Sequence, residues 1–492
     1  MLWLAVFPLY NDLSYAHITH GKWVGMLVLL IFTAALAIIT AAVLTDRHAL
    51  RTTVRLSPAQ ALALMYFAWV TLSAFEGSLS GTLNAQGQKA VWMGAIRFEG
   101  LATQLCYAAV FLLLSLFPPR LSWVENAAAL ALVLFCGVVA LQYAGLNPLG
   151  LFPGALSTRT NYEFQGTIGN IDMVSGYLSL VVPLLLGGFV LRKRGGWLTL
   201  VSGGLGVILQ LCMEVQSGLL ALAGSAGLLA LLLLRRPECR ARGTGVLAMG
   251  CACVILRQML ILPWLDGAEN LAFRVTPPLG AALIVPAAMA GLAALLKRHP
   301  GKALTRRATA CCAGAAILAL AACMALVPLP ESAGGLWEAQ ETLLGRGQDS
   351  FGSYRLGVWR QTLAMAPQHL LTGTGPDTFY YAMQQQLKLS GAYLAETYDN
   401  AHNEYLTILS NNGLPALILY LGLLGTLIGA CLRAGKSRPE PLALLAAIVC
   451  YAAQGVFSFS ICLVSPMFWA VCGMTAALTG RPAIRSPKRC LL

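Results

Sequence analysis

The sequence predicts an all-α polytopic membrane protein of about 13–14 transmembrane helices with a large helical extracytoplasmic loop. Three observations carry that reading. Of the 492 residues, 58% are hydrophobic and only 11% are charged, whereas soluble domains carry about 25% charged residues. Apolar runs of about 17–25 residues recur along the chain, the length a helix needs to cross roughly 30 Å of hydrocarbon. The runs lack the period-2 alternation and the roughly ten-residue length of membrane β-barrel strands.

In chain order the membrane segments fall near 23–44, 58–75, 100–117, 123–146, 174–191, 197–213, 219–234, 244–263, 277–296, 308–328, 414–432, 441–459 and 466–480. Residues 1–9, "MLWLAVFPL", are too short to span and lack the charged start and cleavage site of a signal peptide. They read as the outer end of a first helix. Three regions follow: an N-terminal transmembrane bundle (1–328), an extracytoplasmic loop over the expected site (329–404), and C-terminal transmembrane helices with a short cytoplasmic tail (405–492).

The net charge of +13 does not describe a nucleic-acid surface, which would gather its cations on one folded face. Its basic residues sit in alternate short loops: "DRHALRTTVR", "RKR", "RRPECRAR", "KRHPGKALTRR", "RAGKSRP" and the tail "RPAIRSPKR". By sequence position about 23 of the 33 Lys and Arg, and about 4 of the 20 acidic residues, lie in loops of that parity. This positive-inside pattern puts those loops in the cytoplasm, in the cytoplasmic (inner or only) membrane, and the others outside. The 14 cysteines avoid the loop 329–404, where a disulfide framework would lie, and read as small apolar packing residues. No metal-ligand spacing, Walker loop, dinucleotide fingerprint or nucleophile elbow appears. No metal and no cofactor is expected.

The polar sequence concentrates in the outer loops. Loops longer than about 15 residues in a compact protein are usually functional or disordered. The loop 329–404 is rich in aromatics with helical periodicity and reads as ordered. In "YRLGVWRQTLAMAP", Arg355, Trp359 and Thr362 share one helical face, and Pro367 closes the helix. "GTGP" (373–376) reads as a turn, with an anion cradle as its sharper alternative. In "YDNAHNEYLTILSNNGLPALI" (398–418), Asp399 and Asn400 are N-cap types for a helix from 401. His402 shares a face there with Tyr405 or Leu406. "NNG" (411–413) breaks that helix, and Pro415 can start the next one.

The chemistry-bearing candidates follow from residue type and place. His402, flanked by Asn403 and Glu404, titrates near 6.5 and can act as a general base or as a donor to an anionic leaving group. Its bland alternative is an interfacial residue that holds a loop. Arg355 offers a fork matched to phosphate oxygens, and sharing a face with Trp359 favours it over Arg360. Arg257, in "MGCACVILRQML", is costly within an apolar run unless it snorkels. Arg97 and Glu99 in "RFEGL" read as site residues or an adjacent ion pair. Glu214, Gln216 and Ser217 mark another outer helix junction. The outer leaflet offers lipid-borne substrates but no ATP, so chemistry there needs an already activated donor such as a lipid diphosphate sugar.

"RLGVWRQTLAMAPQHLLTGTGPDTF" followed by "NAHNEYLTILSNNGLPALILYLGLL" resembles the O-antigen ligase/O-antigen polymerase family. That family's pattern falls here on Arg355, Trp359, Pro367, Gly373, Gly375, Phe379, His402, Asn403 and Gly413. "RFEGL" (97–101), "QGTIGNIDMVSGYL" (165–178) and "QGVFSFS…PMFW" (454–469) extend the likeness over roughly residues 85–480. The resemblance implies a glycosyltransferase of GT-C-like architecture. It would move a glycan from an undecaprenyl-diphosphate carrier to a lipid, glycan or protein acceptor on the extracytoplasmic face, without a metal.

Carried over, His402 and Arg355 are the expected catalytic residues. Arg257, Arg97, Trp359, Asn403, Glu404 and Ser217 are expected to bind diphosphate or glycan, and membrane lipids are expected partners. One departure stands out. The family's Ser-Arg pair falls here on Ser217 and Gly218, so Arg257 or Arg97 is expected to supply the second cation. A polymerase of lipid-linked repeat units is the alternative within the family. A flippase or transporter of lipid-linked glycan is the alternative from another class, which midplane sites and repeated halves would mark.

Overall fold

The computed structural model describes residues 1–44 except 13, 56–192 except 145 and 152–163, 195–257 except 214, 324–394 except 332 and 333, and 396–480. It also describes isolated positions between 291 and 322. The expected spans 277–296 and 308–328 fall largely outside the described residues.

The helices are α1 (Leu2–Ala5), α2 (Ile18–Leu44), α3 (Pro58–Glu76), α4 (Ala90–Met93), α5 (Leu101–Leu116), α6 (Leu121–Tyr143), α7 (Ile171–Leu191) and α8 (Trp197–Met213). They continue with α9 (Gln216–Arg235), α10 (Arg240–Leu256), α11 (Gly335–Leu343), α12 (Arg355–Met365), α13 (Phe379–Ser390), α14 (Glu404–Ala434), α15 (Pro441–Gln454) and α16 (Ser465–Thr479). Among the described residues seven helices are long and apolar enough to cross a membrane. The protein is an all-helical polytopic membrane protein, and each described span falls where the apolar runs predict one.

Local chemistry sets the ends. Ser57 and Gln60 form a reciprocal capping box with Pro58 at the first turn of α3. Asn170 caps α7 by accepting from the Met173 N–H at 3.1 Å. The helices associate through close packing, because lipid offers little hydrophobic drive between spans. Thus α16 lies against α5, α15 against α7, and α3 against α14. Trp469 on α16 anchors the centre, its ring within 4.8–6.5 Å of Tyr66, Phe67, Tyr107, Phe111, Tyr420 and Phe468.

The two ends of the bundle differ. At one end the basic loops are tied down: Arg192 pairs with Glu125, Arg236 donates to the Gly435 carbonyl, and Arg438 donates to the Leu478 carbonyl. At the other end α12, α13 and the stretch leading to His402 pack over the bundle around their own small core of Val358, Met365, Phe379, Met383 and Tyr398.

The expected break at 411–413 is present as a kink within α14. Gly413 adopts φ 79° and ψ 174°, a backbone that favours glycine, and a Cβ there would lie 2.0 Å from the Leu371 carbonyl oxygen. Backbone groups freed inside a membrane need new partners, and the 370–375 loop supplies them. Thr374 and Gly375 N–H groups donate to the Ser410 and Asn411 carbonyls at 2.9 and 2.8 Å, and the Leu414 N–H donates to the Leu370 carbonyl at 2.8 Å. "GTGP" is therefore a docking turn, and its amides are used within the fold rather than for an anion.

Candidate functional site

His402 is not on a helix face, as the periodicity suggested. The cap of α14 is Asn403, whose Oδ1 accepts from the Tyr405 and Leu406 N–H groups at 3.0 and 3.1 Å. That starts the helix at Glu404 and leaves His402 in the preceding turn. Its backbone is left-handed (φ 47°), held by an N–H bond to Asn400 Oδ1 at 2.8 Å. Short polar side chains of this kind commonly bond the backbone two residues on. Asp399, expected as a cap type, instead accepts from Arg97 Nε at 2.5 Å.

The imidazole sits edge-on between Tyr398 and Phe459, at centroid distances of 5.8 and 5.1 Å. Its Nδ1 is buried without a hydrogen-bond partner. Trp359 fixes the turn from the other side, its ring N–H donating to the Ala401 carbonyl at 2.9 Å, and its ring lies 5.7 Å from Phe457. Trp359 thus uses its polar atom on the protein itself.

Charges converge on this turn from separate segments. Arg355, at the first position of α12, lies 4.0 Å from Asp172 in the first turn of α7 and donates to the Gly352 carbonyl at 3.1 Å. Its Nε is buried without a partner. Arg97 reaches in from the loop before α5, its guanidinium 6.0 Å from the Phe459 ring centroid. Burial, then the neighbouring Arg355 charge, hold His402 below the usual imidazole value of 6.5, with Asp172 and Asp399 acting in the opposite direction. The ring is neutral at neutral pH and ringed by two cations and two carboxylates.

The other expected residues divide. Glu404 faces inward, its Oε2 accepting from the Ser460 N–H at 2.6 Å. It lines a cavity of about 10 Å³ with Tyr420, Tyr451, Gln454 and Phe459, room for about one water. Arg97 and Glu99 are not an ion pair. Glu99 is buried and takes the Tyr107 hydroxyl at 2.7 Å, and burial pushes its carboxyl well up. Arg257 ends α10, on a separate element that packs on α7 and α8. Arg360 is drawn away to Asp349 and the Gly347 carbonyl.

Ser217 lies within the bundle, where Gln454 Nε2 donates to its Oγ at 3.5 Å. At Gly218 a Cβ would fall 1.4 Å from Gln210 Nε2 and 2.3 Å from Ser175 Oγ. The Gln210 amide, donating to Ser175 at 2.9 Å, fills the space beside this glycine.

Three participants were not singled out from the sequence. Asp172 looks like an ordinary acidic residue in a helix's first turn, where the dipole favours it. Phe459 lies in a run that reads as a span to 459, whereas α15 ends at Gln454 and the chain turns back beside His402. Asp377 is buried in the turn before α13, and its Oδ2 accepts from the Ala95 and Glu99 N–H groups at 3.0 and 3.2 Å. Burial, aided by Asp399 and opposed by these N–H groups, pushes its carboxyl up to about 7.

The fold and this polar turn define a polytopic membrane protein with a cluster of charged groups gathered around His402. A family model described as O-antigen ligase matches residues 278–421, a stretch that contains Arg355, Trp359, His402, Asn403 and Glu404. The match supports the O-antigen ligase/polymerase family assignment and, with it, an O-antigen ligase/polymerase-like membrane glycosyltransferase. No curated protein matches the chain.

Proposed function

We propose that the protein transfers a glycan from an undecaprenyl-diphosphate carrier to an acceptor hydroxyl on the extracytoplasmic face of the cytoplasmic membrane. The observation that carries this reading is the pair of buried, unpartnered nitrogens, Nδ1 of His402 in its turn and Nε of Arg355 on α12, within one charge-balanced cluster. Buried polar atoms are nearly always paired, and these two are matched by an acceptor O–H and a phosphate oxygen. Neutral His402 takes the acceptor proton as the acceptor oxygen bonds to the anomeric carbon. The bond from that carbon to the diphosphate breaks, and the electron pair leaves with undecaprenyl diphosphate. Arg355 stabilises the departing charge, and Arg97 is the second cation because its guanidinium reaches the same cluster, beside Phe459 and Asp399. The step uses protein side chains alone and needs no metal. The alternation of basic loops supports the extracytoplasmic side.

The test is a gel profile of surface glycan from a deletion strain complemented with wild type, His402→Ala or Arg355→Ala at matched expression. Wild type should restore the pattern, and both variants should leave glycan on the carrier. Long chains on the carrier mark a ligase, and single repeats mark a polymerase. Full complementation by both variants would discard the catalytic assignment and bring forward a transporter of lipid-linked glycan.

A further inference from the structure

Arg97 stands on a short turn, residues 94–99, between α4 and α5. Its guanidinium is engaged by Asp399 at 2.5 Å, a contact that a diphosphate would have to replace. An arginine that trades one anion for another keeps its aim only if its backbone is held independently of its head group. That hold comes from 282 positions away in the chain.

One oxygen of Asp377 accepts both the Ala95 and the Glu99 N–H, at 3.0 and 3.2 Å, on either side of Arg97. Asn84 Nδ2 fixes the start of the turn by donating to the Gly94 carbonyl at 3.1 Å. The fit is close enough to require glycine. Gly94 has φ 101°, and a Cβ there would lie 2.4 Å from the same Asp377 oxygen. Asp377 itself is 8% exposed and adopts φ 56°, a backbone uncommon for a non-glycine residue and informative when it occurs. None of the direct contacts described for His402 or Arg355 uses this carboxylate.

We propose that Asp377 is a positioning residue that clamps the 94–99 turn so that Arg97 is presented to the donor diphosphate, supplying the second cation in a chain that has glycine at 218. The inference rests on the reading that Arg97 meets the donor. Asp377 does not touch substrate, and it acts only through the turn that carries Arg97.

The experiment is a double-mutant cycle on the full-length protein in nanodiscs, with undecaprenyl diphosphate as the probe and its Kd as the readout. Arg97→Gln should weaken binding about tenfold or more, the scale of a charge-assisted contact. Asp377→Ala should weaken it about three- to tenfold in the wild-type background and less than about twofold when Arg97 is already Gln, because contacts acting through one group are not additive. Asp377→Asn keeps an oxygen for the two N–H groups and should recover most of the loss.

Equal losses from Asp377→Ala in both backgrounds would overturn the inference while leaving the role of Arg97 intact. Wild-type binding by Asp377→Ala, or no rescue by Asn, would do the same. Wild-type binding by Arg97→Gln would remove the reading beneath it, and the inference with it. If Asp377→Ala is not monodisperse, Gly94→Ala, which drives a Cβ into the same oxygen, takes its place in the cycle.

Discussion

Two polar regions of this molecule, one around His402 and one around Ser217, are built in opposite ways. Around His402 the polar groups are charged, drawn from segments far apart in sequence, and left with unpartnered nitrogens on His402 and Arg355. Around Ser217 and Gly218 the hydrogen bonds among the described residues join neutral amides and hydroxyls: Gln210 bonds Ser175, and Gln454 approaches Ser217. The first region resembles a site kept open for a charged ligand, and the second a packed seam between spans. Charge within a membrane is costly unless it is paired or put to use. On this account the chain gathers its chemistry in the loops and uses the seam between spans for packing.

The contrast can be broken most directly with His402→Gln and Arg355→Gln. Each should lower the transfer rate about 100-fold or more, the scale of losing a general base or a charge-stabilising donor. Ser217→Ala should stay within about fivefold, since a neutral hydrogen bond contributes about 1 kcal/mol or less. A comparable loss at Ser217 would erase the distinction. Trp359→Phe keeps the ring but deletes the bond to the Ala401 carbonyl, and should cost about five- to tenfold in kcat, measurable with the purified protein and a lipid-linked donor.

Gly218→Ala should act on stability instead. The new Cβ forces the Gln210 amide away from Ser175, for a loss of about 1 kcal/mol seen as a lower melting temperature with kcat retained. The subtlest expectation concerns pH. Because burial and Arg355 hold His402 below the usual 6.5, the acid limb of the rate profile should lie below that value, with activity lost as falling pH protonates the ring. Asp172 acts to raise the imidazole's pKa, so Asp172→Asn should move that limb to still lower pH. A shift toward neutral pH would show that the limb does not belong to His402.

Much of the scaffold was legible because the bilayer imposes length and apolarity on each span, and cap residues mark the ends. The break in α14 was legible for the same kind of reason: "NNGLP" places a left-handed glycine and a proline where a helix cannot simply continue. Arg355 was separable from Arg360 by the face it shares with Trp359. What escaped was set by tertiary contact. The left-handed turn of His402 depends on Asn403, rather than Asp399, taking the cap. Asp172 and Asp377 look like routine loop and first-turn acids until the fold sets one 4.0 Å from Arg355 and the other under the turn of Arg97. The end of α15 at Gln454 was hidden because "VFSFSICL" is as apolar as a span, although it folds back as the wall of the site.

The central claim is that the charged turn performs the transfer and the seam does not. Release of undecaprenyl diphosphate in a single turnover, from purified wild type, His402→Gln, Arg355→Gln and Ser217→Ala with a carrier-linked glycan and acceptor, tests it most directly. The account predicts rapid release by wild type and Ser217→Ala and almost none by the other two. Release at the wild-type rate by His402→Gln would contradict it.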